Sequence, residues 1–145
     1  MRVPGCVLCS LSPEEAVWHD SRLMVITGGA DGLGEVARVV WRAHVAEMST
    51  LAAADRQYLM DVVFTVEAAV RDLAGPLKMN IASLGNVVPH LHWHVIPRYA
   101  DDAFFPDSIW SKPRRTGVVR EIGRGRLAAA LAARLPGAGD SILSL

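Results

Sequence analysis

Pro89-His90-Leu91-His92-Trp93-His94-Val95-Ile96-Pro97-Arg98 is the stretch on which the reading of this chain turns. In an extended strand successive side chains point to opposite faces, so His90, His92 and His94 share one face and Leu91, Trp93 and Val95 share the other. A rise of about 3.3 Å per residue places alternate imidazoles roughly 6.6 Å apart at the backbone, close enough for their rings to converge. The apolar face is expected to pack on a helix, and the histidine face to form the site. A single histidine on an open strand face is ordinary polar decoration. Three in strict alternation point to chemistry, and two kinds fit. His-x-His on a strand can ligate zinc when a third ligand and a water complete the site. Alternatively, a neutral imidazole nitrogen can attack phosphorus, provided its other nitrogen is held by an acceptor that fixes the tautomer. The spacing leaves both open.

The flanking sequence supplies the packing partners. From Ala52 to Leu73, apolar residues recur every three or four positions (Tyr58, Leu59, Val62, Val63, Val66, Ala69, Val70, Leu73), which predicts a long helix. Ser49 or Thr50 is the expected N-cap, and Gly75-Pro76 the stop. Strands are predicted at Leu23 to Thr27, Ala37 to Trp41, Leu77 to Ile81 and His90 to Pro97. Gly28-Gly29 and Asp31-Gly32-Leu33-Gly34 read as a hairpin connection, because no lysine or helix start follows to make a phosphate loop. Asp101 to Arg115 is irregular, a last helix is predicted from Val118 to Arg134, and a Pro-Gly-Ala-Gly break precedes a short apolar tail.

The 145 residues suit one domain with a core of its own. Fifteen basic residues balance fifteen acidic ones, so no global field draws the chain to a nucleic-acid polymer or an anionic membrane, and any phosphate must be held locally. Hydrophobic residues make up 51% and mean hydropathy is +0.24, yet no apolar run reaches the 18 or so residues of a membrane span. The apolar excess points to surface buried against a partner, in the first place a second copy. No signal-peptide core opens the sequence, so a cytoplasmic protein with reduced cysteines is expected. Those cysteines, Cys6 and Cys9, form a C-x-x-C that can be half of a zinc site, a redox pair, or two small apolar residues. His19 reads as a surface residue, Trp93 as core or interface, and Arg98, Arg114 and Arg115 as solvated cations, with contact to a phosphate tail the alternative.

His90-Leu91-His92-Trp93-His94-Val95-Ile96 has the form His-φ-His-φ-His-φ-φ, with φ apolar, and resembles the signature of the histidine triad (HIT) superfamily of nucleotide hydrolases and transferases. Lys78-Met79-Asn80, the Gly85-Asn86 turn and Ile96-Pro97-Arg98 stand in the matching order, and the resemblance runs from Cys6 to Trp110. Within the superfamily it is most similar to bacterial diadenosine polyphosphate hydrolase-like and histidine triad nucleotide-binding proteins. The resemblance implies an α+β fold with a five-stranded antiparallel sheet and a long helix on one face, in a homodimer. Residues 1–115 would form the HIT domain and residues 116–145 a C-terminal helical extension and tail.

By the same resemblance His92 is the nucleophile and forms a nucleotidyl-histidine intermediate at the α-phosphorus. His94 contacts phosphate and assists the leaving group, while Asn80 and Asn86 bind substrate. Cys6, Cys9, His44 and His90 correspond to the structural zinc ligands of some bacterial members. The chain departs from nucleotide-binding relatives at Val87, where they carry a hydroxyl, at Val36, where they carry a histidine, and in lacking a clear ribose-binding acid at Asp31 or Glu35. A dinucleoside polyphosphate or a nucleoside phosphoramidate is the implied substrate. The alternatives are a nucleotide-binding regulatory module with little turnover, or a zinc-dependent hydrolase ligated by His90, His92 and His94.

Overall fold

The computed structural model describes residues 2–136; the predicted glycine-containing break from Gly137 onward and the apolar tail lie outside the described residues. Five strands form one antiparallel sheet in the order β1-β2-β3-β5-β4, with β1 at Trp18–His19, β2 at Leu23–Ala30, β3 at Gly34–Trp41, β4 at Lys78–Ala82 and β5 at His92–Arg98. Helix α1 is Ala53–Ala74 and α2 is Arg124–Arg134. The α+β class, the five strands and the long helix on one face are all as the resemblance implied.

Residues paired across antiparallel strands share a face, so the register sorts the sheet into two surfaces. Leu23, Val25, Ala37, Val39, Trp41, Trp93, Val95 and Met79 face α1, whose Leu59, Val62, Val63, Val66, Ala69 and Val70 are buried against them. Met24, Ile26, Gly28, Val36, Arg38, Val40, His92, His94, Ile96, Arg98 and Asn80 take the opposite face. The predicted stripe of α1 and the apolar side of the triad strand therefore meet as read.

The element ends differ in instructive ways. Ser49 and Thr50 do not cap α1; they belong to a short 3-10 turn, Met48–Thr50, and the N-cap is Ala52, which makes no side-chain bond. Gly75 closes the helix in the left-handed conformation at φ 58, its N–H returning to the carbonyl of Arg71, as a glycine stop should. Gly28 and Gly29 lie within β2 instead of in the turn, which shrinks to residues 31–33. The last helix begins at Arg124, not Val118. Its expected first turn is spent beside β3, where Glu35 N–H donates to the carbonyl of Arg120 at 2.8 Å and Arg120 N–H to that of Leu33 at 3.2 Å. Gly34, at φ 105, permits this approach: a Cβ there would lie 1.9 Å from the Arg120 carbonyl oxygen. Leu127 and Leu131 of α2 then enter the same core as α1.

Arg98 is not solvated. It is fully buried and donates to both carboxylate oxygens of Asp102, to Asn80 Oδ1 and to the carbonyl of Asp107. Burial alone would raise the Asp102 pKa, but Arg98 and the N–H groups of Tyr99, Phe104 and Phe105 outweigh it and hold the carboxyl at about 2. A carboxylate depressed in the folded state contributes stability that is present above its unfolded pKa and lost as pH falls through the folded value, here from about pH 4 toward about 2. Asp102→Ala strands Arg98 without its counter-charge and should cost about 3–5 kcal/mol in urea unfolding at neutral pH. A loss below about 1 kcal/mol would refute the view that this pair organises the 98–107 turn.

Candidate functional site

His90 lies just before β5, which begins at His92. Its backbone follows the line of the sheet edge, with Leu91 N–H donating to the Val45 carbonyl at 2.7 Å and Trp41 N–H to the Leu91 carbonyl at 3.1 Å. Its side chain, fully buried, turns away from His92 and His94 toward the N-terminal segment. There the Sγ atoms of Cys6 and Cys9 and the Nδ1 atoms of His44 and His90 lie within 4.8 Å of one another. The separations are 3.5 Å for Cys6 to His90, 3.4 Å for Cys9 to His90 and to His44, and 3.2 Å between the two histidines.

A tetrahedral ion with bonds of about 2.0 Å to nitrogen and about 2.3 Å to sulfur would set its ligand atoms roughly 3.3–3.8 Å apart. The four separations, at 3.2–3.5 Å, are close to that cage, and every pair lies within 4.8 Å. The tautomer fits too: His90 Nε2 lies 2.6 Å from the Trp41 carbonyl oxygen, which can only accept, so the proton sits on Nε2 and Nδ1 presents a lone pair to the cysteines. Burial, reinforced by His44 and His92, lowers the His90 pKa against the raising effect of the Trp41 carbonyl, which favours the neutral ligand form. Val3 N–H donates to Cys9 Sγ at 3.3 Å, a bond that suits a thiolate. Cys6, Cys9, His44 and His90 thus form a group able to hold a metal ion, and Cys6, Leu8 and Cys9 pack onto Ile26 and Val40 of the sheet.

The other two triad members open onto a cavity of about 350 Å³, bounded by His92, His94 and Trp110 on one side and by the 84–88 loop, Asn86 included, on the other. His92 Nδ1 lies 2.6 Å from the backbone carbonyl oxygen of His90, so Nδ1 carries the hydrogen and Nε2 is left with its lone pair. Ser83 Oγ donates to the carbonyl of His92 at 2.7 Å and ties the end of β4 to the site. The rings of His92 and His94 meet edge-on at 5.0 Å, and Trp110 closes over His94 at 4.9 Å.

Among the residues singled out from sequence, His92, His94 and Asn86 come together at the cavity. Asn80 stands on the same sheet face, but in the register pair beyond His94, where its Oδ1 is taken by Arg98. Val87 projects into solvent at the cavity rim, 94% exposed. Glu35 accepts from the N–H groups of Ile122 and Gly123 and serves the chain fold. His19 is only partly exposed, in β1, and its Nδ1 is buried. Two further residues stand beside this group: Trp110, whose ring meets that of His94, and Arg38, directly across from His94 on β3 and not singled out from sequence.

The HIT domain family matches the chain over residues 13–101. No curated protein matches it. Among solved structures, a histidine triad protein from Bradyrhizobium japonicum is similar with a TM-score of 0.67 at 24% identity, covering 86% of this chain and 96% of that one. One from Marinobacter aquaeolei VT8 reaches 0.64 at 26% identity over 81% and 85% of the two chains. A zinc-bound histidine triad family protein from Mycobacterium smegmatis reaches 0.61 at 21% identity over 95% and 97%.

Burial first, then the neighbouring His92 and Arg38, push the His94 pKa down to about 4. A histidine depressed in this way stays neutral where the unfolded chain would protonate, so its contribution to stability is intact above about pH 6.5 and declines as pH falls toward about 4. Nitrogen-15 NMR should find the His94 ring neutral from pH 8 to pH 5. Trp110→Ala, which re-exposes the ring, should raise its midpoint by about one unit. A wild-type midpoint near the ordinary value of about 6.5 would overturn the packing argument.

Proposed function

Because the chain belongs to the HIT domain family, we propose that it is a nucleotide hydrolase or nucleotidyl transferase that acts at the α-phosphate of a nucleoside phosphate through His92. The observation that carries this reading is the bond from His92 Nδ1–H to the His90 carbonyl oxygen, which leaves Nε2 as a neutral nucleophile at the cavity. In the first step Nε2 forms a bond to phosphorus and the bond from phosphorus to the leaving group breaks, the electron pair departing on a phosphate oxygen or on a nitrogen that takes a proton from solvent. The Nδ1–H bond to the carbonyl strengthens as the ring becomes cationic. His94, neutral beside it, faces the phosphoryl oxygens and the departing group. Water then cleaves the phosphorus–nitrogen bond, or another acceptor takes the nucleotidyl group, and His92 returns to its neutral form.

Asn86 on the rim of the cavity and the amide N–H₂ of Asn80, whose oxygen Arg98 holds, are the proposed substrate contacts. A dinucleoside polyphosphate or a nucleoside phosphoramidate suits this chemistry, since both offer a leaving group on an α-phosphorus.

Cys6, Cys9, His44 and His90 are proposed to hold zinc. Bound there by four protein ligands, the ion would cross-link the N-terminal segment to the sheet. This assignment takes His90 away from the cavity, which disfavours a hydrolase that ligates its zinc through His90, His92 and His94. The exposed apolar residues Phe64 of α1, Leu77 and Ile81 support a homodimer that buries them, and the paired thiols suit a reducing, cytoplasmic setting. No described helix is long and apolar enough to cross a membrane.

His92→Ala and His92→Asn should each lower turnover of a nucleoside phosphoramidate and of a dinucleoside polyphosphate by about three orders of magnitude or more, with circular dichroism unchanged. Undiminished rates would sink the nucleophile assignment, and nucleotide binding without turnover of either substrate by the wild type would support the regulatory module instead. Wild-type protein should carry about one zinc per chain, and Cys6→Ser should lose it together with thermal stability. Equal metal content in the two proteins would refute the assignment.

A further inference from the structure

Arg38 and Arg98 project from the same sheet face and live in opposite circumstances. Arg98 has its donors filled by Asp102, Asn80 and a carbonyl. Arg38 is half-buried, its Nε is sealed from solvent without a hydrogen-bond partner, and it enters none of the ion pairs among the described residues. A guanidinium lowered into a protein surface with no counter-charge opposes folding, and evolution of the chain for stability alone would replace it.

Its neighbours on the sheet face are His94 and two apolar clusters. Directly opposite on one side is His94 of β5 and on the other Ile26 of β2. One apolar bank is formed by Leu8, Ile26 and Val40, and the other by Leu33, Val36 and Ile96. Next to it in β2 is Gly28, whose backbone is not in the left-handed region and would accept any residue, yet a Cβ there would come within 3.2 Å of Arg38 Nη2. The glycine keeps open the space that the guanidinium occupies.

We propose that Arg38 is a substrate-binding residue that pairs with an anionic phosphoryl oxygen of the nucleotide beside His94, and so selects for phosphorylated over uncharged ligands. The fork of guanidinium donors matches two phosphoryl oxygens, and only an anion removes the cost of the unpaired charge; a neutral base or sugar would leave it standing. This inference rests on the nucleotide reading given above for His92.

Calorimetric titration of wild type, Arg38→Gln, Arg38→Lys and Gly28→Val with adenosine 5′-monophosphate, adenosine and inorganic pyrophosphate tests it, with each variant's unliganded melting temperature as the control for folding. Arg38→Gln should bind the monophosphate at least tenfold more weakly, leave adenosine unchanged, and melt no lower than wild type without ligand. Arg38→Lys should recover part of the loss. Gly28→Val, which keeps the charge and displaces the guanidinium, should weaken the monophosphate in the same selective way. Unchanged monophosphate affinity in Arg38→Gln, or an equal loss for monophosphate and adenosine, overturns the proposal. If wild type binds pyrophosphate but not the monophosphate, and Arg38→Gln loses the pyrophosphate, the nucleotide reading fails while the anion site at Arg38 stands. If wild type turns over the phosphoramidate and Arg38→Gln binds the monophosphate as wild type does, Arg38 alone is refuted.

Discussion

The structure depends on three commitments made by one residue, His90. Its Nε2–H is spent on the Trp41 carbonyl, its Nδ1 looks into the Cys6, Cys9 and His44 cluster, and its own carbonyl accepts from His92 Nδ1. Each bond fixes a proton: the first decides which nitrogen can be a ligand, the last which nitrogen of His92 can be a nucleophile. A buried imidazole with both nitrogens engaged cannot rotate without breaking a bond on either side, so the cluster and the cavity are held by the same side chain. The triad is thereby divided. One histidine belongs to the scaffold and two to the site.

The sheet makes that division possible because register assigns each strand residue to a face. Helices α1 and α2 cover one face, and the other is closed piecemeal, by the N-terminal segment over Ile26 and Val40, by the 98–107 turn around Arg98, and by Trp110 over His94. What remains open between these covers is the cavity at His92 and His94, with the half-buried Arg38 across from His94 on β3. The concave region is what is left over when three separate segments pack down, which explains why no single motif outlines it.

Periodicity made the large elements legible. The triad's alternation and the stripe of α1 each repeat a geometric rule over several turns or residues, so packing could only confirm them. The C-x-x-C, His44 and His90 were joined as one ligand set by the resemblance alone, since their spacing in sequence says nothing of a cage that closes over 84 positions. What misled were residues whose fate is decided by partners far away. Ser49 and Thr50 look like caps, but the chain needed a 3-10 turn before Ala52. Arg98 looks solvated until Asp102 folds back four residues on. The start of the last helix was missed because residues 118–122 are claimed by β3, a contact announced only by Gly34. Arg38 left one faint trace, a charge inside the apolar run from Val36 to Trp41 at the position that faces His94.

The closing contacts also order events in time. Arg124 reaches back to the carbonyls of Glu14, Glu15 and Ala16, Leu127 and Leu131 complete the core, and Arg134 pairs with Asp72. These contacts join residues from opposite ends of the chain, the kind of pairing that slows folding because a long loop must close before it is rewarded. Until α2 is in place the sheet and α1 leave the flank of the core that Leu127 and Leu131 fill open to water.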